Sequence, residues 1–174
     1  EPTMGIITNV GTSHIELLGS REAIAEAKGE LIRCLPENSV AILNEDDPYV
    51  KAMDRLAKGK TITYGIERNA TCIGSHLRYK KDGIKFTCKC YDEVFDIFLP
   101  MIGEHNVYDA LAAIVAGRVL GIKSNTIRKG LSEFSGTPMR QEIVPFEDIV
   151  ILNDAYNANP SSMAEAIKAL GQLE

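Results

Sequence analysis

The chain has 174 residues, 45% of them apolar, which is enough for one compact domain with a real core. Its formal net charge of -5 leaves no basic footprint for nucleic acid, so no nucleic-acid partner is expected. No apolar run approaches the roughly 20 residues of a membrane span, the first residues do not read as a signal peptide, and a cytoplasmic compartment is expected.

Met4 to Val10 reads as a short buried strand. Arg21 to Leu35 reads as a helix, with Ser20 as N-cap and Pro36 just past its end. Ser39 to Asn44 is a second strand. Asp47-Pro48 then reads as N-cap and first residue of a helix reaching about Lys58, before a third strand in Thr61 to Gly65. Strands alternating with helices predict a mostly parallel α/β sheet flanked by helices. From Thr71 to about Pro100 the texture changes to short strands, with Lys81-Asp82-Gly83 as a hairpin turn, which predicts a small antiparallel β layer. His105 to Gly121 returns to helix, with Val107, Leu111, Ile114 and Val115 on one stripe. Ser124 to Phe134 is another helix, Gln141 to Asp154 a pair of strands, and the stretch after Pro160 a last helix.

The four cysteines, Cys34, Cys72, Cys88 and Cys90, lack disulfide-scaffold or zinc-ribbon spacing and read as small buried thiols.

Ligand sites of open parallel sheets lie at the carboxyl ends of strands, where "GTSH" and "NEDDP" fall. His14 either orders its loop or serves as a ligand. Asp47 is accounted for as a cap and Asp46 as a first-turn charge. Lys28 has Ile24, Leu31 and Ile32 at helical spacing, which places it on or beside the apolar stripe. There it either snorkels or, partly buried, holds a lowered pKa and a neutral amine able to add carbon dioxide. The carbamate would be an oxygen ligand suited to magnesium. Asn106 stands where an amide caps a helix or binds a ligand, and Arg140 lies in a turn before a strand. Asp154, Tyr156, Asn157 and Asn159 lie between a strand end and a Pro-initiated helix, a setting that suits a binding loop and ordinary turn chemistry alike.

In order, "TNVGTSHIELLGS", "AKGEL", "GEHNVYDALAA", "GTPMRQE" and "NDAYNANPSSM" resemble the Mur ligases of peptidoglycan synthesis over essentially the whole chain. The "NDAYNANP" loop most resembles members that add D-alanyl-D-alanine to UDP-N-acetylmuramoyl-tripeptide. The resemblance implies residues 1–150 as the later part of a central ATP-binding domain, with residues 71–100 as an antiparallel subsheet. Residues 151–174 would then start a C-terminal Rossmann-like domain. It implies ATP and Mg2+ as cofactors, a peptide ligase acting through an acyl phosphate, and a monomer.

By resemblance, His14 and a carbamylated Lys28 hold magnesium and count as catalytic. Asn106 and Asp109 face the nucleotide base, Arg140 lies on the nucleotide, and Asp154 meets the ribose. Tyr156, Asn157 and Asn159 would make substrate or closure contacts. Two departures stand out. No GxxGK[ST] phosphate loop occurs, which the resemblance places upstream of Glu1, so the isolated chain is expected to be inactive. Asp109 stands where the family usually has asparagine. Another amide ligase of the superfamily, or a non-catalytic nucleotide-binding module, is the alternative.

Overall fold

The computed structural model describes residues 2–13 and 15–172. Six strands, β1 (Met4–Ile7), β2 (Val40–Asn44), β3 (Lys60–Gly65), β4 (Cys72–Lys80), β5 (Gly83–Cys90) and β6 (Glu93–Leu99), form one sheet in chain order. β1, β2, β3 and β4 pair in parallel; β4–β5 and β5–β6 are antiparallel. The antiparallel strands are thus continuous with the parallel ones. β4 pairs with β3 only through Tyr64 with Cys72 and Gly65 with Ile73. With so little overlap, the short link 66–71 replaces the long crossover that parallel neighbours usually need, and β4 runs on past the carboxyl edge. Lys80 pairs with Gly83, so Lys81 and Asp82 form the expected hairpin turn. A separate two-stranded sheet joins β7 (Glu142–Phe146) to β8 (Ile149–Asn153); residue 150, the expected domain boundary, lies inside β8.

Alternation along β2 feeds two cores. Ala41 and Leu43 face α2 (Arg21–Cys34) and α3 (Pro48–Lys51), with Ile24, Ile32, Val50 and Met53. Ile42 faces the other way, with Ile62 and Tyr64, toward α4 (His105–Val119) and α5 (Ser124–Ser132). The stripe Val107, Leu111, Ile114 and Val115 of α4 is fully buried there, as read from its spacing. The helix α2 starts as expected, with Ser20 Oγ accepting from Ala23 N–H.

Several boundaries differ from the sequence reading. The stretch "HIELLGS" holds a one-turn helix, α1 (Ile15–Leu18), whose exposed Leu17 and Leu18 give no amphipathic signal. The helix expected to reach Lys58 passes into a 3-10 turn at Ala52–Leu56. The strand expected to reach Val10 stops at Ile7, because the next three residues bond to side chains instead of to a neighbouring strand. Cys34 is exposed, while Cys72, Cys88 and Cys90 are buried. Sγ of Cys72 lies 3.6 Å from that of Cys88, and its contacts with Cys88 and Cys90, together with burial, push the Cys72 thiol up and keep it inert. Gly59-Lys60-Thr61 has the last letters of a phosphate loop, but it enters β3 instead of leaving a strand for a helix.

Candidate functional site

The chain leaves β1 into a loop, Thr8 to Val10, whose backbone is bound from four directions. Asn44 Nδ2 donates to the Thr8 carbonyl at 2.9 Å, Lys28 Nζ to that of Asn9 at 2.6 Å, and Arg21 to that of Val10 at 2.6 Å. Val10 N–H donates to Asp47 Oδ2 at 2.7 Å, while the other oxygen of Asp47 caps α3 through Tyr49 and Val50. Three carbonyls and one N–H of this strand exit are thus each served by a side chain. Asp46 does not act as a first-turn charge. Its carboxylate accepts from the N–H groups of Ile66, Glu67 and Arg68 at 2.7, 3.0 and 2.9 Å and from the Tyr108 hydroxyl at 3.0 Å. A Cβ at Gly65 would come within 2.7 Å of that carboxylate, so glycine is what lets it reach the link.

Next to the strand exit opens a cleft of about 840 Å³. Thr8 to Ser13 and Asn44, at the carboxyl ends of β1 and β2, form one wall, as expected for an open parallel sheet. His105, Asn106, Tyr108, Asp109 and Ala113 of α4 form another. Arg140, Gln141 and Asp154 come from the β7–β8 segment, and Asn159, Ser161 and Ser162 from the start of α6 (Pro160–Leu170). Asn106, Asp109, Arg140, Asp154 and Asn159 therefore meet in one cavity. Lys28 borders an adjoining recess of about 320 Å³, which shares Asn9, Gly11 and Ser13 with the cleft. His14 lies outside the described residues.

The geometry of each differs in part from the sequence reading. Lys28 is exposed, not partly buried: Ile24 and Ile32 take the core side of α2, and the lysine turns to the Asn9 carbonyl. Among the described residues Asn106 caps nothing by its oxygen; its Nδ2 donates to the Ile102 carbonyl at 2.6 Å and lies 3.1 Å from His105 Nε2. Asp109 opens to the cleft but is crowded by its walls. That desolvation raises its carboxyl pKa, and His105, one turn earlier, pulls it partly back. Its charge reaches the core: the phenol of fully buried Tyr64 is pushed up by burial, then by Asp109 and Asp47.

Arg140 stacks on Tyr156, its guanidinium carbon 4.0 Å from the ring centroid. The residues on either side of it, Met139 and Gln141, have positive φ of 62° and 50°, a conformation costly for residues with a Cβ. The turn is held by Gln141 N–H on Asp154 Oδ1, Met139 N–H on Glu142 and Tyr156 N–H on the Met139 carbonyl, each at 3.1 Å. Asp154 thereby fixes the turn as well as lining the cleft. Asn157 lies outside both cavities and accepts from Ala158 N–H, ordinary turn chemistry. Asn159 caps α6 through Ser162 and donates to Ser13 Oγ at 3.1 Å, and Thr12 Oγ1 lies 3.3 Å from Ser161 Oγ.

The sequence reading passed over His105, Tyr108, Arg21 and Asn44 as site residues. Asn44 carried a usable signal: a polar residue at the last position of a buried strand, itself buried here.

A mostly parallel helix-covered sheet with a polar cleft at its carboxyl ends defines a ligand-binding α/β domain. The model of the Mur ligase middle domain matches residues 1–117, and the chain belongs to the Mur ligase family. A UDP-N-acetylmuramoyl-tripeptide--D-alanyl-D-alanine ligase from Bacillus subtilis (strain 168) is 40% identical over 99% of this chain and 37% of its own length. One of the same name from Synechocystis sp. is 37% identical over 98% of this chain and 36% of its own length. A crystal structure of MurF from Acinetobacter baumannii superposes with a TM-score of 0.94 at 29% identity, over 99% of this chain and 38% of that one. The chain spans little more than a third of the length of these relatives.

Proposed function

We propose that the protein carrying this chain is an ATP-dependent ligase that joins D-alanyl-D-alanine to UDP-N-acetylmuramoyl-tripeptide, and that this chain supplies the nucleotide-side wall of its active site. The observation that carries the reading is the meeting of Asn106, Asp109, Arg140, Asp154 and Asn159 with the Thr8–Ser13 loop around one cleft. A MurF from Thermotoga maritima, solved in complex with ADP, has the same fold at a TM-score of 0.87 and 25% identity, which supports a nucleotide in this cleft.

In this reading the substrate carboxylate attacks the γ-phosphate of ATP, ADP leaves, and an acyl phosphate forms. The amine of D-alanyl-D-alanine then adds to the acyl carbon, and the tetrahedral intermediate expels phosphate to give the amide. This chain's part is positional. Arg140, held flat by Tyr156, presents a fixed cation to the nucleotide. Asp154 accepts from the ribose hydroxyls, and the hydroxyls of Thr12, Ser13 and Ser161 face the phosphate side. Tyr156 reaches the cleft only through its stack on Arg140, and any substrate or closure contact of Tyr156 or Asn157 would lie outside the cavity.

Magnesium commonly takes one or two protein ligands, the rest being phosphate and water. Among the described residues no group of three or more His, Cys, Asp and Glu side chains is arranged to hold a metal ion. Lys28, beside its recess, suits a cation only after carbamylation, since its ammonium would repel the ion; the resemblance makes His14 the other ligand. Bound there, magnesium would offset the repulsion between phosphate and substrate carboxylate.

The test is a phosphate-release assay of the full-length protein with ATP, UDP-N-acetylmuramoyl-tripeptide and one acceptor at a time. Turnover with D-alanyl-D-alanine is the expected result. Turnover only with L-alanine, D-glutamate or a diamino acid assigns another ligase of the superfamily, and no ATP-dependent turnover leaves a binding module.

A further inference from the structure

Gln141 lines the cleft together with Arg140 and Asp154, on the wall opposite no helix of its own. Its backbone is left-handed, with φ of 50°, a region that glycine and asparagine adopt at lower cost. The turn around it is tied down. Its N–H donates to Asp154 Oδ1 at 3.1 Å, and Glu142 Oε2 accepts from Met139 N–H and Asn153 Nδ2 at 3.1 and 3.0 Å. The backbone of Gln141 is thereby fixed beside the Asp154 carboxylate, and its side chain is the part left to turn. The oxygen of that side chain is buried without a hydrogen-bond partner among the described residues. Such a placement is costly. The last torsion of a glutamine is soft, and a half-turn about it presents the oxygen to the cleft instead.

The neighbours of that oxygen select what could donate to it. Phosphate oxygens only accept. An ammonium group or a metal cation would meet the guanidinium of Arg140, held in place by its stack on Tyr156. A neutral hydroxyl meets neither obstacle. Asp154 has one oxygen engaged by Gln141 N–H, which leaves the other for a second hydroxyl. Resting on the nucleotide reading of the cleft, we propose that Gln141 is a specificity residue that, with Asp154, reads two neighbouring hydroxyls and so makes the site require a ribonucleotide with an intact cis-diol. Asp154 takes one hydroxyl, and the Gln141 carboxamide, turned into the cleft, takes the other. A deoxyribose leaves one of the two acceptors without its donor. The neutral amide is enough for discrimination of about threefold to tenfold, and the carboxylate for about tenfold or more.

The experiment is calorimetric titration of the full-length protein with ATP, 2′-deoxy-ATP and 3′-deoxy-ATP, for the wild type and for Gln141→Gly. Glycine keeps the N–H that holds Asp154 and suits the left-handed backbone, so only the side chain is lost. Gln141→Asn, whose shorter amide also tolerates this backbone, serves if the glycine variant does not fold. Both deoxy analogues are expected to bind the wild type at least about threefold more weakly than ATP. In either variant ATP is expected to weaken to the level of one analogue, whose penalty disappears, while the penalty of the other survives. A merely structural role would weaken all three together and leave both ratios unchanged. Equal binding of the three by the wild type, or survival of both penalties in the variant, overturns the role of Gln141 and leaves the nucleotide reading intact. Failure of ATP itself to bind the wild type overturns both.

Discussion

Asn159 donates from its side-chain amide to the hydroxyl of Ser13, 3.1 Å away and 146 positions earlier in the chain. The same side chain accepts from Ser162 N–H and so starts α6. One residue thus caps the last helix and ties its start to the loop that leaves the first strand.

The two roles separate chemically. Ser13→Ala removes the hydroxyl partner of the Asn159 amide and leaves the cap on Ser162 N–H. It is expected to leave α6 formed while freeing the loop, seen as faster amide exchange at residues 11–13 with helical exchange unchanged. Asn159→Ala removes the cap as well and is expected to cost about 1 kcal/mol of stability, read from a denaturant midpoint.

Asp46 makes four bonds across three segments, and its loss is expected to be larger. Asp46→Ala leaves the N–H groups of Ile66, Glu67 and Arg68 and the Tyr108 hydroxyl without this acceptor. The expected cost is about 2–3 kcal/mol in chemical unfolding. A change within a few tenths of a kcal/mol would show that water serves these groups equally well.

The two residues also mark how far the sequence could be read. Local signals sufficed where the partners are local. Ser20 starts α2, Lys81 and Asp82 turn the hairpin, and the four-residue apolar stripe of α4 is buried as its spacing requires. They failed where a residue is explained by partners far along the chain. Asp46 looks like a first-turn charge until residues 66–68 and 108 reach it. Lys28 looks like part of an apolar stripe until the Asn9 carbonyl, 19 positions away, claims its amine. The cleft residues were legible through their ordered motifs and the family they resemble, because no periodicity places Asn106 opposite Asp154. His105 and Tyr108 went unread because, in a helix, their neighbours already explained the pattern.

Arg140 and Tyr156 form an exposed stack. A double-mutant cycle with Arg140→Lys and Tyr156→Leu is expected to give a coupling of about 0.5–1 kcal/mol in stability. Lysine keeps the charge and loses the planar face, so Arg140→Lys alone is expected to account for most of it. Zero coupling would mean that the turn is held by its backbone bonds alone.

Lys28 provides a covalent test. If it is carbamylated in the full-length protein, intact mass under neutral, bicarbonate-containing conditions is expected to exceed the sequence mass by one carbon dioxide, and acid should remove the increment. Lys28→Ala is expected to lose turnover and regain part of it with a short carboxylate such as acetate. Normal turnover without additive would leave Lys28 as the donor that holds the Asn9 carbonyl and nothing more.

Asp109 should also make folding stability depend on pH. Its carboxyl is raised above the ordinary 3.8 by the crowding of the cleft walls, His105 opposing. The folded chain therefore holds that proton to higher pH than the unfolded chain does. Below the ordinary value both states are protonated, and the favourable contribution is fully present. It is lost as pH rises through the raised folded value, because ionisation then costs the folded state more than the unfolded one. Asp109→Asn cannot ionise and should not lose it. Thermal unfolding of both proteins across the acid range is expected to give a difference that grows in favour of Asp109→Asn between pH 3.8 and neutrality and then levels off. A difference that instead grows toward acid pH would mean that the carboxylate is stabilised in the fold, with a partner that lowers its pKa.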